Sequence, residues 1–207
     1  MIISKIKKYF LWQKIKKSER IQGWLTKNES IELFNISRML PHNSTVIEIG
    51  CWKGKSSYCI TSGLKSGSKL FVIDPFDCSG DIESNIIYNE NISNKSLLDD
   101  FKVNLSDNDL LNKVEILQGL SNDFVGKVND VDFLFIDGDH SIESCSFDFE
   151  NYSNSVKPGG YIALHDFDPN REELGPTWVV NNLISKNNSF QFNKIVDSLW
   201  ICKKLNV

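Results

Sequence analysis

From Thr45 onward the chain alternates short apolar runs with segments of helical spacing. The runs "TVIEIG" (45–50), "KLFVID" (69–74), "VEILQG" (114–119), "VDFLFID" (131–137) and "YIALHD" (161–166) have the length of strands. All but one are continuous apolar stretches rather than strict alternations, as expected of parallel strands covered on both faces. Between them lie "KSSYCITSGLKS", "NKSLLDDFKVNL" and "SIESCSFDFENYSNS", which read as helices. Upstream, "QGWLTKNESIELFNISRMLP" (22–41) reads as a leading helix, and a polar loop, "FDPNREELGPT", precedes another helix near "WVVNNLISKN". The last two β-rich runs, "FQFNKIVD" and "SLWICKKL", are joined by almost nothing, so they pair as an antiparallel hairpin at the edge of the sheet. The pattern predicts an α/β fold with a doubly wound, mostly parallel seven-stranded sheet that ends in this hairpin, preceded by N-terminal helices.

A length of 207 residues suits one well-covered domain with an appendage, and 41 % hydrophobic with 24 % charged residues is ordinary for a globular chain. The net charge of -4 conceals an asymmetry. Lys5, Lys7, Lys8, Lys14, Lys16, Lys17 and Arg20 face a single acid, Glu19, so residues 1–20 form a basic amphipathic segment ahead of an acidic body at 21–207. An acidic body excludes the basic face of a nucleic-acid binder. Lysines interrupt the start too often for a secretion signal, and no run approaches membrane-spanning length. Ile3, Ile6, Phe10 and Ile15 fall near one helical face, which leaves two readings open: weak contact with a membrane surface, or packing on the body or on a partner subunit of a homo-oligomer. Cys51, Cys59, Cys78, Cys145 and Cys202 are odd in number and form no metal-finger spacing, so they read as reduced thiols of a cytoplasmic protein.

In an open α/β sheet, ligands collect beyond the carboxyl ends of the strands. The first run ends "EIGCWKGKSS", where Gly50 and Gly54 permit a tight turn and Ser56 and Ser57 open a helix whose amides can face a carboxylate. The second ends at Asp74, where an acid accepts hydrogen bonds from ribose hydroxyls. A dinucleotide fingerprint would need three glycines where this chain has Gly50, Trp52 and Lys55. Glu48, an acid inside the first strand, suits a cationic amino acid moiety and repels phosphate. Together these residues point to a nucleoside with a positively charged tail.

Here the sequence resembles the class I S-adenosylmethionine-dependent methyltransferases, whose Rossmann-like sheet ends in such a hairpin. "VIEIGCWKGKSS" is similar to their first motif and "LFVIDPFD" to their second. The resemblance implies S-adenosylmethionine as cofactor, with Glu48, Gly50, Cys51, Trp52, Gly54, Ser56 and Ser57 toward the methionine part, Asp74 on the ribose and Gly119 to Ser121 at the adenine. Ser121 has a second reading as a helix cap. "FIDGDHSIE … VKPGGYIALHD" resembles methyltransferase family 24, small O-methyltransferases similar to macrocin-type sugar enzymes and cephalosporin hydroxylase-like proteins. In that subgroup an acid after strand four, beside the cofactor, and a pair after strand five hold a divalent metal, which implies Asp137, His165 and Asp166. This chain has a histidine where those members carry a first acid, which suits manganese, iron or zinc at least as well as magnesium.

A metal on an alcohol lowers its pKa and fixes its oxygen in line with the methyl group, and Asp139 or His140 is then the proton acceptor. In a metal-free site His165 becomes the candidate base. Asp139 could instead cap the following helix, and His140 could bond a backbone carbonyl. The implied acceptor is a saccharide or similar small molecule, walled by the loops 75–96 and 167–175 with Phe76, Tyr88 and Arg171. Two alternatives remain at this stage: a nicotinamide-dependent oxidoreductase on the same architecture, and a non-catalytic module that keeps the methyltransferase fold.

Overall fold

The computed structural model describes residues 2–77, 96–106 and 109–206, with side chains from residue 5 onward. Two helices lead, α1 (Ile2–Ile15) and α2 (Lys27–Met39), with a single 3-10 turn at Lys16–Arg20 between them. Then follow β1 (Thr45–Ile49), α3 (Lys55–Gly63), β2 (Lys69–Asp74), α4 (Leu97–Ser106), β3 (Val114–Gln118), β4 (Val131–Ile136), α5 (Ile142–Tyr152), β5 (Val156–Leu164), α6 (Gly175–Val179, extended by a wider turn to Ile184), β6 (Phe190–Val196) and β7 (Leu199–Lys204).

The seven strands form one sheet in the order β3-β2-β1-β4-β5-β7-β6. The first five pair in parallel, and β7 runs antiparallel to both β5 and β6. Successive residues of β1 and β4 feed opposite faces: Val46, Phe133 and Phe135 pack with α1 to α4, whereas Ile47, Leu134 and Ile136 pack with α5 and α6. Both faces are covered, which is why these strands read as unbroken apolar runs. The chain winds from β1 toward β3 on one side and from β4 toward β6 on the other, so the crevice of the fold opens where β1 and β4 meet.

Two boundaries and the packing of α1 differ from the sequence pattern. β5 begins at Val156, five residues before the expected start, because Pro158 and Gly159 lie within the strand at a register irregularity against β4 rather than in a turn. α6 starts at Gly175 with Pro176 in its first turn, the position where a missing N–H costs nothing. On α1, Trp12 and Ile15 are buried against the body, while Ile6 and Phe10 are exposed; the side chain of Ile3 lies outside the described residues. Among the described side chains, the packed stripe therefore occupies the last turns of the helix. Among the described residues no helix is long and apolar enough to cross a membrane. Cys51, Cys59, Cys145 and Cys202 are buried free thiols, and Cys78 lies outside the described residues.

Candidate functional site

The turn after β1 is held by backbone bonds. The Gly50 amide donates to the Ile73 carbonyl at 2.9 Å and the Asp137 amide to the Ile49 carbonyl at 2.8 Å, so the ends of β1, β2 and β4 are tied together. Gly50 has φ +79°, and a Cβ there would come within 2.1 Å of the Asp137 carbonyl oxygen; only glycine fits. Trp52 also takes a left-handed conformation, φ 49°. The Asp74 carboxylate organises this turn, accepting from the amides of Cys51 (2.8 Å) and Trp52 (3.1 Å) on one oxygen and of Phe76 (2.7 Å) on the other. Burial raises its pKa, and those three amides oppose the rise.

Glu48 does not face the open cavity. It is fully buried behind the turn, accepts from the Ser57 hydroxyl, and leaves its second oxygen without a partner among the described residues. Burial without a cation pushes its carboxyl up to about 8, with Ser56 and Ser57 opposing and Asp137 and Asp74 adding to the rise. At neutral pH it is therefore largely a neutral acid.

The ends of β4 and β5 carry the charges. His165, buried on the α2 side, has one ring nitrogen 3.0 Å from Asp137 and 3.1 Å from Asp166, and the other 3.4 Å from Glu29. Burial alone would lower its pKa, but Asp137, Asp166 and Glu29 outweigh it and hold the ring protonated well above its ordinary range. In this arrangement both ring nitrogens of His165 face carboxylates, which sets it as the ion-pair partner of Asp137, Asp166 and Glu29. Asp166, itself at φ 56°, also receives His140 at 3.1 Å. Its pKa lies below the usual carboxylate range, since burial, which raises it, is outweighed by the two histidines.

A different trio of side chains converges. One ligand atom each from Asp137, His140 and Asp166 lies within 4.8 Å of the others. Two carboxylates and an imidazole are a donor set that suits a divalent cation, and this trio contains His140 rather than His165. The capping roles also fall elsewhere: Ser141 caps α5 and Asp139 accepts from the Ser141 amide, while the turn at Ser121 is closed by Asp123 on the Leu120 amide.

A cavity of about 560 Å³ joins these parts. Of the expected site residues, Gly50, Cys51, Trp52, Ser56, Asp74, Gly119, Ser121, Asp137, Asp139, His140 and His165 line it, whereas Glu48, Gly54, Ser57 and Asp166 stand behind its wall. Its outer wall comes from Gln22 to Leu25, with Trp24 packed on Trp52 at 5.6 Å, a contribution absent from the sequence reading. Of the expected walls, Phe76 is buried against Phe101 and Arg171 pairs with Glu173, neither on the cavity, and Tyr88 lies outside the described residues. Two further acids went unnoticed. Glu29 sits in the first turn of α2, where it also closes a capping box with Thr26 and accepts from Ser198. Asp148 shares a face of α5 with Cys145, Phe149 and Tyr152, and a carboxylate on an apolar stripe is the signal that could have exposed it.

Comparison with known proteins bears on the fold and the family. The fold is shared with a Corynebacterium glutamicum protein (14 % identity, 100 % of this chain and 99 % of that one, TM-score 0.69). It is shared also with an O-methyltransferase from Bacillus cereus in complex with SAH (16 %, 96 % and 90 %, 0.64). TomG, an O-methyltransferase of tomaymycin synthesis from Streptomyces achromogenes solved with SAM, is similar too (13 %, 88 % and 82 %, 0.64). A family model described as a methyltransferase domain matches residues 47–167, more than half of the chain and the span that holds the glycine turn, Asp74 and the acid cluster. The chain belongs to this methyltransferase family, as a class I S-adenosylmethionine-dependent methyltransferase.

Proposed function

We propose that the chain methylates a hydroxyl of a sugar or similar small molecule, in the cytoplasm, with S-adenosylmethionine as donor and a divalent metal at the acid cluster. The observation that carries this reading is the single cavity that joins a nucleoside-sized turn to a cluster of carboxylates and imidazole. S-adenosylmethionine supplies a methyl group on a positively charged sulfur, already activated for displacement. The Cys51 to Ser57 turn and the start of α3 receive the methionine part, with Glu48 behind them as the latent counter-charge. Asp74 takes the ribose, Gly119 and Ser121 border the adenine, and Asp137 lies nearest the reacting methyl.

Asp137, His140 and Asp166 would hold the metal, which would acidify the acceptor hydroxyl and fix its oxygen. His165, clamped by Glu29, keeps Asp137 and Asp166 in position, and Asp139 on the cavity wall takes the proton. For the acceptor, Trp24 and Trp52 offer apolar faces and Gln22 a polar edge, a combination that suits a hydroxylated ring. Solved relatives named as O-methyltransferases, one with SAH and one with SAM, support the choice of cofactor and of oxygen as the methylated atom.

The test is calorimetric titration of S-adenosylmethionine into the wild type and into Asp74→Ala. Saturable binding that weakens at least about tenfold in the variant supports the reading. A wild type that binds none of it overturns the reading and favours a non-catalytic module.

A further inference from the structure

The inner side of α1 holds the helix to the body. Trp12 and Ile15 are buried there, Lys27 of α2 sits over the Trp12 ring at 4.5 Å, and Lys8 reaches Asn28 at 3.4 Å. The outer side carries Ile6, Tyr9 and Phe10, which are 51 %, 60 % and 64 % exposed. Tyr9 and Phe10 stand three and four residues after Ile6, so the three side chains form one patch, and the two rings meet edge to face with centroids 5.9 Å apart. Exposed lysines rim the patch: Lys5 lies four residues before Tyr9, Lys7 three before Phe10 and Lys14 four after it. Lys16, Lys17 and Arg20 extend the positive charge into the 3-10 turn.

The attachment of α1 to the body gives no reason for apolar side chains on its far side, and an exposed apolar patch with a polar rim marks a surface that meets something else. A strip of this kind suits a helix lying flat at a lipid interface. Its apolar side chains enter the headgroup boundary, while the lysine stems run beside them and the ammonium groups stay at the phosphates. Charge selects the lipid. Residues 1–20 carry seven basic side chains and one acid, whereas the rest of the chain holds ten more acids than bases, so an anionic bilayer attracts this helix and repels the body. We propose that α1 docks the protein on an anionic phospholipid surface, with Ile6, Tyr9 and Phe10 in the interface and the surrounding lysines on the lipid phosphates. With 14 residues, α1 lies along such a surface and does not span it. A nucleic acid would meet the lysines but leave the three apolar side chains in water. None of these residues lines the cavity, so the docking surface is independent of what the cavity binds.

The experiment sediments the full chain with vesicles of phosphatidylcholine alone and with vesicles in which about one lipid in three is phosphatidylglycerol. Binding should be at least about tenfold tighter on the anionic vesicles, and salt at about 0.5 M should weaken it at least about fivefold. Replacing Lys7→Gln together with Lys14→Gln should weaken it at least about tenfold, and so should Ile6→Gln together with Phe10→Gln. All four side chains are exposed, so both pairs should leave the urea midpoint unchanged. Equal binding to the two kinds of vesicle would overturn the inference. Undiminished binding after Ile6→Gln with Phe10→Gln would overturn it too, as the mark of charge attraction without insertion, and so would tighter binding to duplex DNA than to the anionic vesicles. A dimer in lipid-free sedimentation that this same pair of substitutions dissolves would overturn it in favour of a second copy of the chain on this face.

Discussion

At the ends of β1 and β2 the cavity is walled by backbone amides, drawn into a turn by one carboxylate, Asp74. At the ends of β4 and β5 it is walled by charged side chains that hold one another, with Glu29, His165, Asp137, Asp166 and His140 in an unbroken chain. The first half depends on where glycine is allowed. The second depends on which charges meet, and one of them arrives from a helix far away in sequence. Shape and charge can therefore be broken separately.

The largest effect is expected at the seam between the halves. Gly50→Ala drives a Cβ into the Asp137 carbonyl, so it should cost more than about 4 kcal/mol in urea unfolding, or prevent folding altogether. A loss below about 1 kcal/mol would mean that the two strand ends are not locked. Next comes Asp137→Asn, which keeps the shape and removes a charge. Turnover should fall by at least about a hundredfold, with S-adenosylmethionine affinity changed less than about threefold. Comparable losses in both would place Asp137 in the cofactor half instead.

Glu29→Ala leaves His165 buried with one carboxylate fewer, and removing one partner of a buried pair costs about 3 kcal/mol. The acid limb of stability offers a gentler test. Burial would raise the Glu29 pKa, but His165, Thr26 and Ser198 together bring it down to about 2. Its contribution is then complete above the unfolded value near 4.5 and is lost as pH falls toward 2. Glu29→Gln should flatten that limb. His165 has the opposite sign: the stability gained from its raised pKa is present below its ordinary value and is lost as pH climbs through the folded one.

Glu48 is read from a slope rather than from a single loss. With a folded pKa of about 8 against 4.5 unfolded, it lowers stability as pH rises between those values, by no more than about 1.4 kcal/mol per pH unit. Glu48→Gln should remove that slope. Binding of a cationic tail should lower the Glu48 pKa and release a proton near pH 7, seen as buffer-dependent heat in calorimetry of the wild type and missing from the variant.

The same division governs what could be read beforehand. Strands covered on both faces announce themselves as "TVIEI" or "VDFLFI", and a glycine turn or an acid at a strand end is visible locally. The hand of His165 was not, since its partner Glu29 lies 136 residues away and looks like an ordinary helix cap. That same contact turns His165 toward Glu29 as well as toward Asp137 and Asp166, while His140 is the histidine that gathers with the two aspartates. Gln22 to Leu25 carry no motif, and only the packing of Trp24 on Trp52 brings them to the cavity.

The bonds from Asp137 to Ile49 and from His165 to Ile136 continue the ladder of the sheet past its last strand residues. The glycine turn and the acid cluster thus ride on one hydrogen-bonded frame. An error of 1 Å in such an alignment can cost about a hundredfold in rate. In this molecule the distance that matters is set during folding, so the free energy of ligand capture need not be spent on bringing the two halves together.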